Sequence, residues 1–112
     1  MSDPETFESV FEELYAESFD LLCRKQMRYG NANIEQLGLH GVISRIAHDK
    51  VARAKKFLNG KIIDGQVVLD QMDETSEESL EDTLLDIANY ALIAVSLRRG
   101  LWGRPMRHEI EK

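Results

Sequence analysis

Cysteine is almost absent from this chain. Its 112 residues hold one, Cys23, which excludes an internal disulfide and fits a plain core residue better than a thiol nucleophile. With no disulfide framework, the expected home is a reducing cytoplasm. No apolar run approaches the 18 or so residues of a membrane span, so no membrane partner is expected. The opening MSDPETFESV has neither the basic n-region nor the apolar h-region of a signal peptide. Internal repeats and low-complexity tracts are missing. So are a phosphate loop, a nucleophile elbow, a zinc spacing and a dinucleotide fingerprint. His40, His48 and His108 have no cysteine or acid at ligand spacing and read as ordinary polar residues.

Basic residues are missing from two long stretches. Residues 1–23 carry seven acids and no Lys or Arg, and residues 62–97 carry nine acids and no base. Residues 24–61 carry nine bases against two acids, and residues 98–112 five against two. The net charge of −6 excludes nonspecific binding to a nucleic-acid backbone. The blocks admit two readings: complementary faces of a bundle, or a site using acids for a cation and bases for phosphates. Length gives a single domain, residues 1–112, with a core small enough for a partner chain to help.

The pattern predicts an all-α, compact helical bundle of three main helices with a minor hairpin or loop, completed by dimerisation. The first helix is expected from Pro4 to Met27, with Asp3 as cap and Phe7, Val10, Phe11, Leu14, Ser18, Leu21 and Leu22 on its buried face. RYGNAN, residues 28–33, follows as a polar connection containing a helix-ending glycine. A short helical turn over Ile34–Leu39 and punctuation at Gly38 and Gly41 lead into a second helix, Val42–Leu58. Its core face is expected at Val42, Ile43, Ile46, Ala47, Ala54, Phe57 and Leu58. KII-DG-QVVL, residues 61–69, carries a hairpin signal, with an irregular loop as the alternative. The main helix spans Glu77–Leu97, capped by Thr75 with Glu78 and stopped by Gly100. Its buried stripe is expected at Leu80, Leu84, Ile87, Ala88, Ala91, Ala94 and Val95. The tail beyond it holds Trp102, read as a packing or interface anchor.

Asp82 and Asp86 stand four apart on that main helix, with Asn89 continuing their face. Acids near a core need a partner, and a bound cation is one. Asp49 on the second helix, and Glu17 on the first, would complete an oxygen donor set for Mg²⁺, with Mn²⁺ as a substitute. In this reading Asp49, Asp82 and Asp86 are catalytic as well as metal-binding. Arg45, Asp49 and Arg53 recur at i, i+4 and i+8, which equally describes an intrahelical ion-pair ladder. Arg28, Arg45, Lys50 and Arg53 are the candidate phosphate clamps, with Lys25 able to reach in from the first helix. Tyr29, Asn31, Asn33, Asn89 and Tyr90 are candidates for contacting a nucleoside.

RYGNAN, GVISRIAHDKVARAKKFL and SLEDTLLDIANYALIA together resemble the nucleotide modification associated domain of phages and bacteria, across residues 20–97. The blocks match a YG-x-x-N, R-x-x-x-D-K-x-x-R and D-x-x-x-D-I-x-N-Y order. That family is similar in architecture to the MazG-like all-α nucleotide pyrophosphatases, which are magnesium-dependent dimers or tetramers. The resemblance implies a nucleotide or related phosphorylated partner, a homodimer or higher homo-oligomer, and Mg²⁺-dependent cleavage of a nucleoside triphosphate to monophosphate and pyrophosphate. The E-E-x-x-E and E-x-x-D helices of MazG do not occur in order: before Asp86, Thr83 stands where the glutamate of E-x-x-D belongs. Two other functions remain open on sequence alone. One is a non-catalytic nucleotide-binding protein, sensing or sequestering its ligand. The other is a structural helical bundle.

Overall fold

The computed structural model describes residues 5–57, 62–67 and 80–110. The chain is all-α with one small hairpin. Helix α1, Phe7–Tyr29, is followed by α2, Ala32–Arg45, by a π turn at Ile46–Lys50 and by α3, Val51–Phe57. Strands β1, Ile62–Ile63, and β2, Gln66–Val67, form the hairpin; α4, Leu80–Arg98, and a single turn, α5, Arg107–Ile110, complete the order.

Helix α1 starts later than expected because Thr6 caps it. The Thr6 side chain accepts from Ser9 N–H at 3.0 Å, and Ser9 Oγ accepts from Thr6 N–H at 2.9 Å, a reciprocal capping box. The expected caps at Asp3, Thr75 and Glu78 lie outside the described residues. Gly30, at φ 70°, ends α1 with its N–H on Gln26 O. Of the breaks expected at Gly38 and Gly41, the one at Gly38 is present, where φ 64°, ψ −177° bends α2. That is a region glycine alone occupies comfortably. Gly41 is helical; a Cβ there would meet Leu37 Cβ at 3.0 Å. The hairpin turns on Asp64 (φ 52°) and Gly65 (φ 79°), as a two-residue type I′ turn requires, and pairs Ile62 with Val67 and Ile63 with Gln66. Helix α4 ends in a Schellman pair: Leu101 N–H reaches Ser96 O at 2.8 Å and Gly100 N–H reaches Leu97 O at 3.1 Å.

The core is small. Ile34, Val42 and Ile93 are buried together, with Leu22, Leu37, Ile46, Tyr90, Ala94, Leu97 and Trp102 packed around them. Two expected faces are corrected. On α1 the apolar stripe is covered only from Ser18 onward, and Phe7, Val10, Phe11 and Leu14 are exposed. On α4 the buried face is Thr83, Asp86, Asn89 and Ile93, while Leu84, Ala88, Ala91 and Val95 look outward. These two sets lie on opposite sides of the helix at 100° per residue. Asp86 and Asn89 face inward there because α1 and the π turn supply their partners; the buried Thr83 hydroxyl has no hydrogen-bond partner among the described residues. On α2 and α3 the π turn shifts the phase, so Ala54 and Phe57 are buried but Ile43 and Ala47 are exposed.

Candidate functional site

The buried polar face of α4 meets α1 through two locked contacts. Ser18 Oγ donates to Asn89 Oδ1 at 2.7 Å, and Asn89 Nδ2 donates to Ser18 O at 3.0 Å. One turn away, Asp86 is 1% exposed. Lys25 Nζ of α1 donates to its Oδ1 at 2.6 Å, and Lys50 Nζ lies 2.9 Å from its Oδ2 in an ion pair. Lys50 itself is buried, and its ammonium lies 5.4 Å from the Tyr90 ring centroid, within cation–π range. Burial alone would push the Asp86 carboxyl up. The hydrogen bonds and charges of Lys25 and Lys50 together outweigh it and hold the carboxyl below the usual carboxylate range.

The π turn brings Lys50 there. Its five-residue loop is closed by Val51 N–H on Ile46 O. Residues five apart then stack, so Arg45 and Lys50 line the same cavity. The Arg45–Asp49–Arg53 ladder is correspondingly cut. Asp49 pairs with Arg53 at 3.6 Å, and Arg45 turns to the cavity instead.

That cavity measures about 310 Å³, the small end of the range for ligand sites. Lys25, Arg45 and Lys50 enter it from three elements, and among the described residues Asp86 is its one carboxylate. Tyr29, Tyr90 and Trp102 give it aromatic wall, and Gln26, Asn33 and Asn89 give it amides. Its floor is Leu22, Ile34 and Ile93, part of the core. Trp102 is held over the loop after α1 by its indole N–H on Asn31 O at 3.4 Å.

Of the expected residues, Asp86, Arg45, Lys50, Tyr29, Asn33, Asn89 and Tyr90 meet at this cavity. The rest do not. Asp82 is exposed and lines a separate hollow with Glu17, Asp20 and Arg24. Asp49 is engaged with Arg53. Arg28 lies over the Tyr29 ring, 5.4 Å from its centroid, outside the cavity wall. Asn31 is occupied as scaffold: its side chain accepts from Gln26 Nε2 and its carbonyl from Trp102. Asn89 lines the wall, but its amide is already spent on Ser18. Lys25, expected to reach in from the end of the first helix, lines the cavity; Gln26 and Trp102 are the additions, and Gln26 had no sequence signal.

Among the described residues, the donor set around Asp86 does not fit a resident Mg²⁺ or Mn²⁺. Such an ion needs several free oxygens at about 2.0–2.1 Å, and both Asp86 oxygens are held by ammonium groups. Among the described residues no three of His, Cys, Asp and Glu are grouped to hold a metal ion. Among those same residues no helix is long and apolar enough to cross a membrane. No protein-family model, curated protein or solved structure matches this chain.

Proposed function

We propose that the cavity binds a small phosphorylated ligand of the nucleotide class, and that the protein works by binding it rather than by metal-assisted hydrolysis. One observation carries this reading: three cationic side chains from three elements converge on one cavity that, among the described residues, holds a single carboxylate. With Asp86 charged, the wall carries a surplus of two positive charges, although the chain as a whole is at −6. An anion entering there meets a matching local field. Asp86 holds Lys25 and Lys50 in place before the ligand arrives, so little side-chain entropy is lost on binding.

The aromatic wall supports a flat or sugar-bearing ligand over inorganic phosphate. Tyr29 and Trp102 line the cavity, and a base can stack on such rings. Arg45 supplies a planar fork for two phosphate oxygens; Lys25 and Lys50 act as point charges. The resemblance of the RYGNAN and DIANY blocks to a nucleotide-directed family points to the same ligand class, and enters here as support only.

Hydrolysis of the MazG type would need a divalent ion among Asp49, Asp82 and Asp86. Reaching Asp86 would mean displacing both lysines. The test is direct: incubate the protein with nucleoside triphosphates and Mg²⁺, and measure both bound nucleotide and released pyrophosphate. Binding without pyrophosphate is the expected result. Turnover that Asp86→Asn abolishes would overturn the binding-only reading.

A further inference from the structure

The charged side chains on the cavity wall are few. Among the described residues they are Lys25, Arg45 and Lys50 against Asp86, which leaves two positive charges unmatched. A phosphate monoester carries about −1.5 to −2 at pH 7 and offers three terminal oxygens. One such group balances the surplus. A phosphodiester, with a single charge, leaves it half matched. Each further phosphate in a chain adds negative charge that these residues do not meet.

The donors fit the same count. Arg45 is half-buried and makes no ion pair with another described residue. A partly desolvated guanidinium of this kind favours an anion beside it. Lys25 and Lys50 each turn one side to Asp86, and an ammonium has three donors, so each keeps some to spare. The side chain of Lys50 is 10% exposed and that of Lys25 41%, so one cation is fixed in the wall and the other reaches the water. Beyond these three the lining is aromatic, amide or apolar, with Leu22, Ile34 and Ile93 as floor. A second or third phosphate finds no further cation there. Polyphosphates are normally taken up with Mg²⁺, and a protein site gives that ion one or two carboxylates. The one wall carboxylate among the described residues has both oxygens on ammonium groups. A monoester needs no such ion. A volume of about 310 Å³ also favours the shorter ligand.

We infer that the cavity selects a phosphate monoester over longer phosphate chains: its ligand is a nucleoside monophosphate, with the phosphate among Arg45, Lys25 and Lys50 and the base on Tyr29 and Trp102. This rests on the nucleotide-binding reading above and narrows it. A longer chain still binds by its terminal phosphate, but its base then no longer reaches the rings.

The test is a metal-free calorimetric titration of the full chain at neutral pH. The probes are the common ribonucleosides, each as its 5′-mono-, di- and triphosphate and as its 3′,5′-cyclic monophosphate. For the preferred base, the monophosphate is expected to bind tightest. The cyclic diester, which has lost one charge and one contact, should bind roughly tenfold more weakly, and the triphosphate should also fall below the monophosphate. Adding Mg²⁺ should not reverse that order. Asn33→Lys, which adds a cation to the wall, should narrow the gap between mono- and diphosphate. A di- or triphosphate that binds as tightly as the monophosphate, or more tightly, overturns this inference and leaves the nucleotide-binding reading standing. So does a cyclic diester that matches the monophosphate, or a gap that Asn33→Lys leaves unchanged. Failure of every probe to bind overturns the nucleotide-binding reading itself, and this inference with it.

Discussion

Lys50 Nζ lies 2.9 Å from Asp86 Oδ2, and the residue beside it, Asp49, faces away to Arg53. The π turn at Ile46–Lys50 decides which of the two meets α4. It presents a cation to the buried carboxylate where a regular helix carried the expectation of a second acid. The charge of the site changes sign with that choice.

The first prediction concerns the carboxylate. Asp86→Ala leaves Lys50 buried without its counter-charge. Breaking a buried pair in this way costs on the order of 3 kcal/mol, lessened here because Lys25 is partly in water. Urea unfolding of the variant should show a lower midpoint with an unchanged slope. Asp86→Leu with Lys50→Met, which removes both charges, should recover much of the loss; a double variant no better than the single one would contradict the ion-pair account.

The pH dependence has a definite sign. The folded Asp86 carboxyl titrates below its ordinary value because of Lys25 and Lys50. A depressed carboxyl stabilises the fold fully above the unfolded value of about 3.9, and that contribution is lost as pH falls through the lower, folded value. Thermal midpoints from pH 6 to pH 2 should fall more steeply for the wild type than for Asp86→Asn. Parallel curves would show that the carboxylate is not preferentially ionised in the folded chain.

Arg45 is predicted to act on the ligand and not on the fold. Arg45→Ala should weaken nucleotide binding by roughly tenfold, the scale of one charge-assisted contact of 1.4 kcal/mol or more, and leave the melting temperature within a degree or two. Arg28→Ala and Arg53→Ala, whose side chains lie outside the cavity wall, should change affinity little. Equal losses at all three positions would mean a diffuse electrostatic attraction.

Gly38 tests the kink. At φ 64°, ψ −177° a Cβ is strained even though nothing lies within 4 Å of it. Gly38→Ala should therefore destabilise by about 1–3 kcal/mol. A stabilised variant would show that α2 runs through unbroken.

Element positions were legible in the sequence where local chemistry decides them. Gly100 stopping α4, Gly30 ending α1 and Asp64-Gly65 turning a hairpin all follow from backbone preference alone. The way faces point was less legible. Leu84, Ala88, Ala91 and Val95 make a better apolar stripe on α4 than Thr83, Asp86 and Asn89, yet the polar set is buried. The partners of Asp86 and Asn89, namely Ser18, Lys25 and Lys50, come from elsewhere in the chain, and no periodicity within α4 reveals them. The π turn is equally silent, because IAHDK has no residue that demands five per turn. Asp82 and Asp86 are four apart and still part company, one to a surface hollow with Glu17 and Asp20 and one to the core with Lys25 and Lys50.

The most direct measurement is a calorimetric titration of the protein with a nucleoside triphosphate in excess EDTA, repeated with the matching nucleoside and with Lys50→Met. Metal-free binding of the triphosphate, much weaker binding of the nucleoside and a loss on removing Lys50 are the predicted results. Absence of binding until Mg²⁺ is added, or binding that Lys50→Met leaves unchanged, would contradict a site built from lysines around a closed carboxylate.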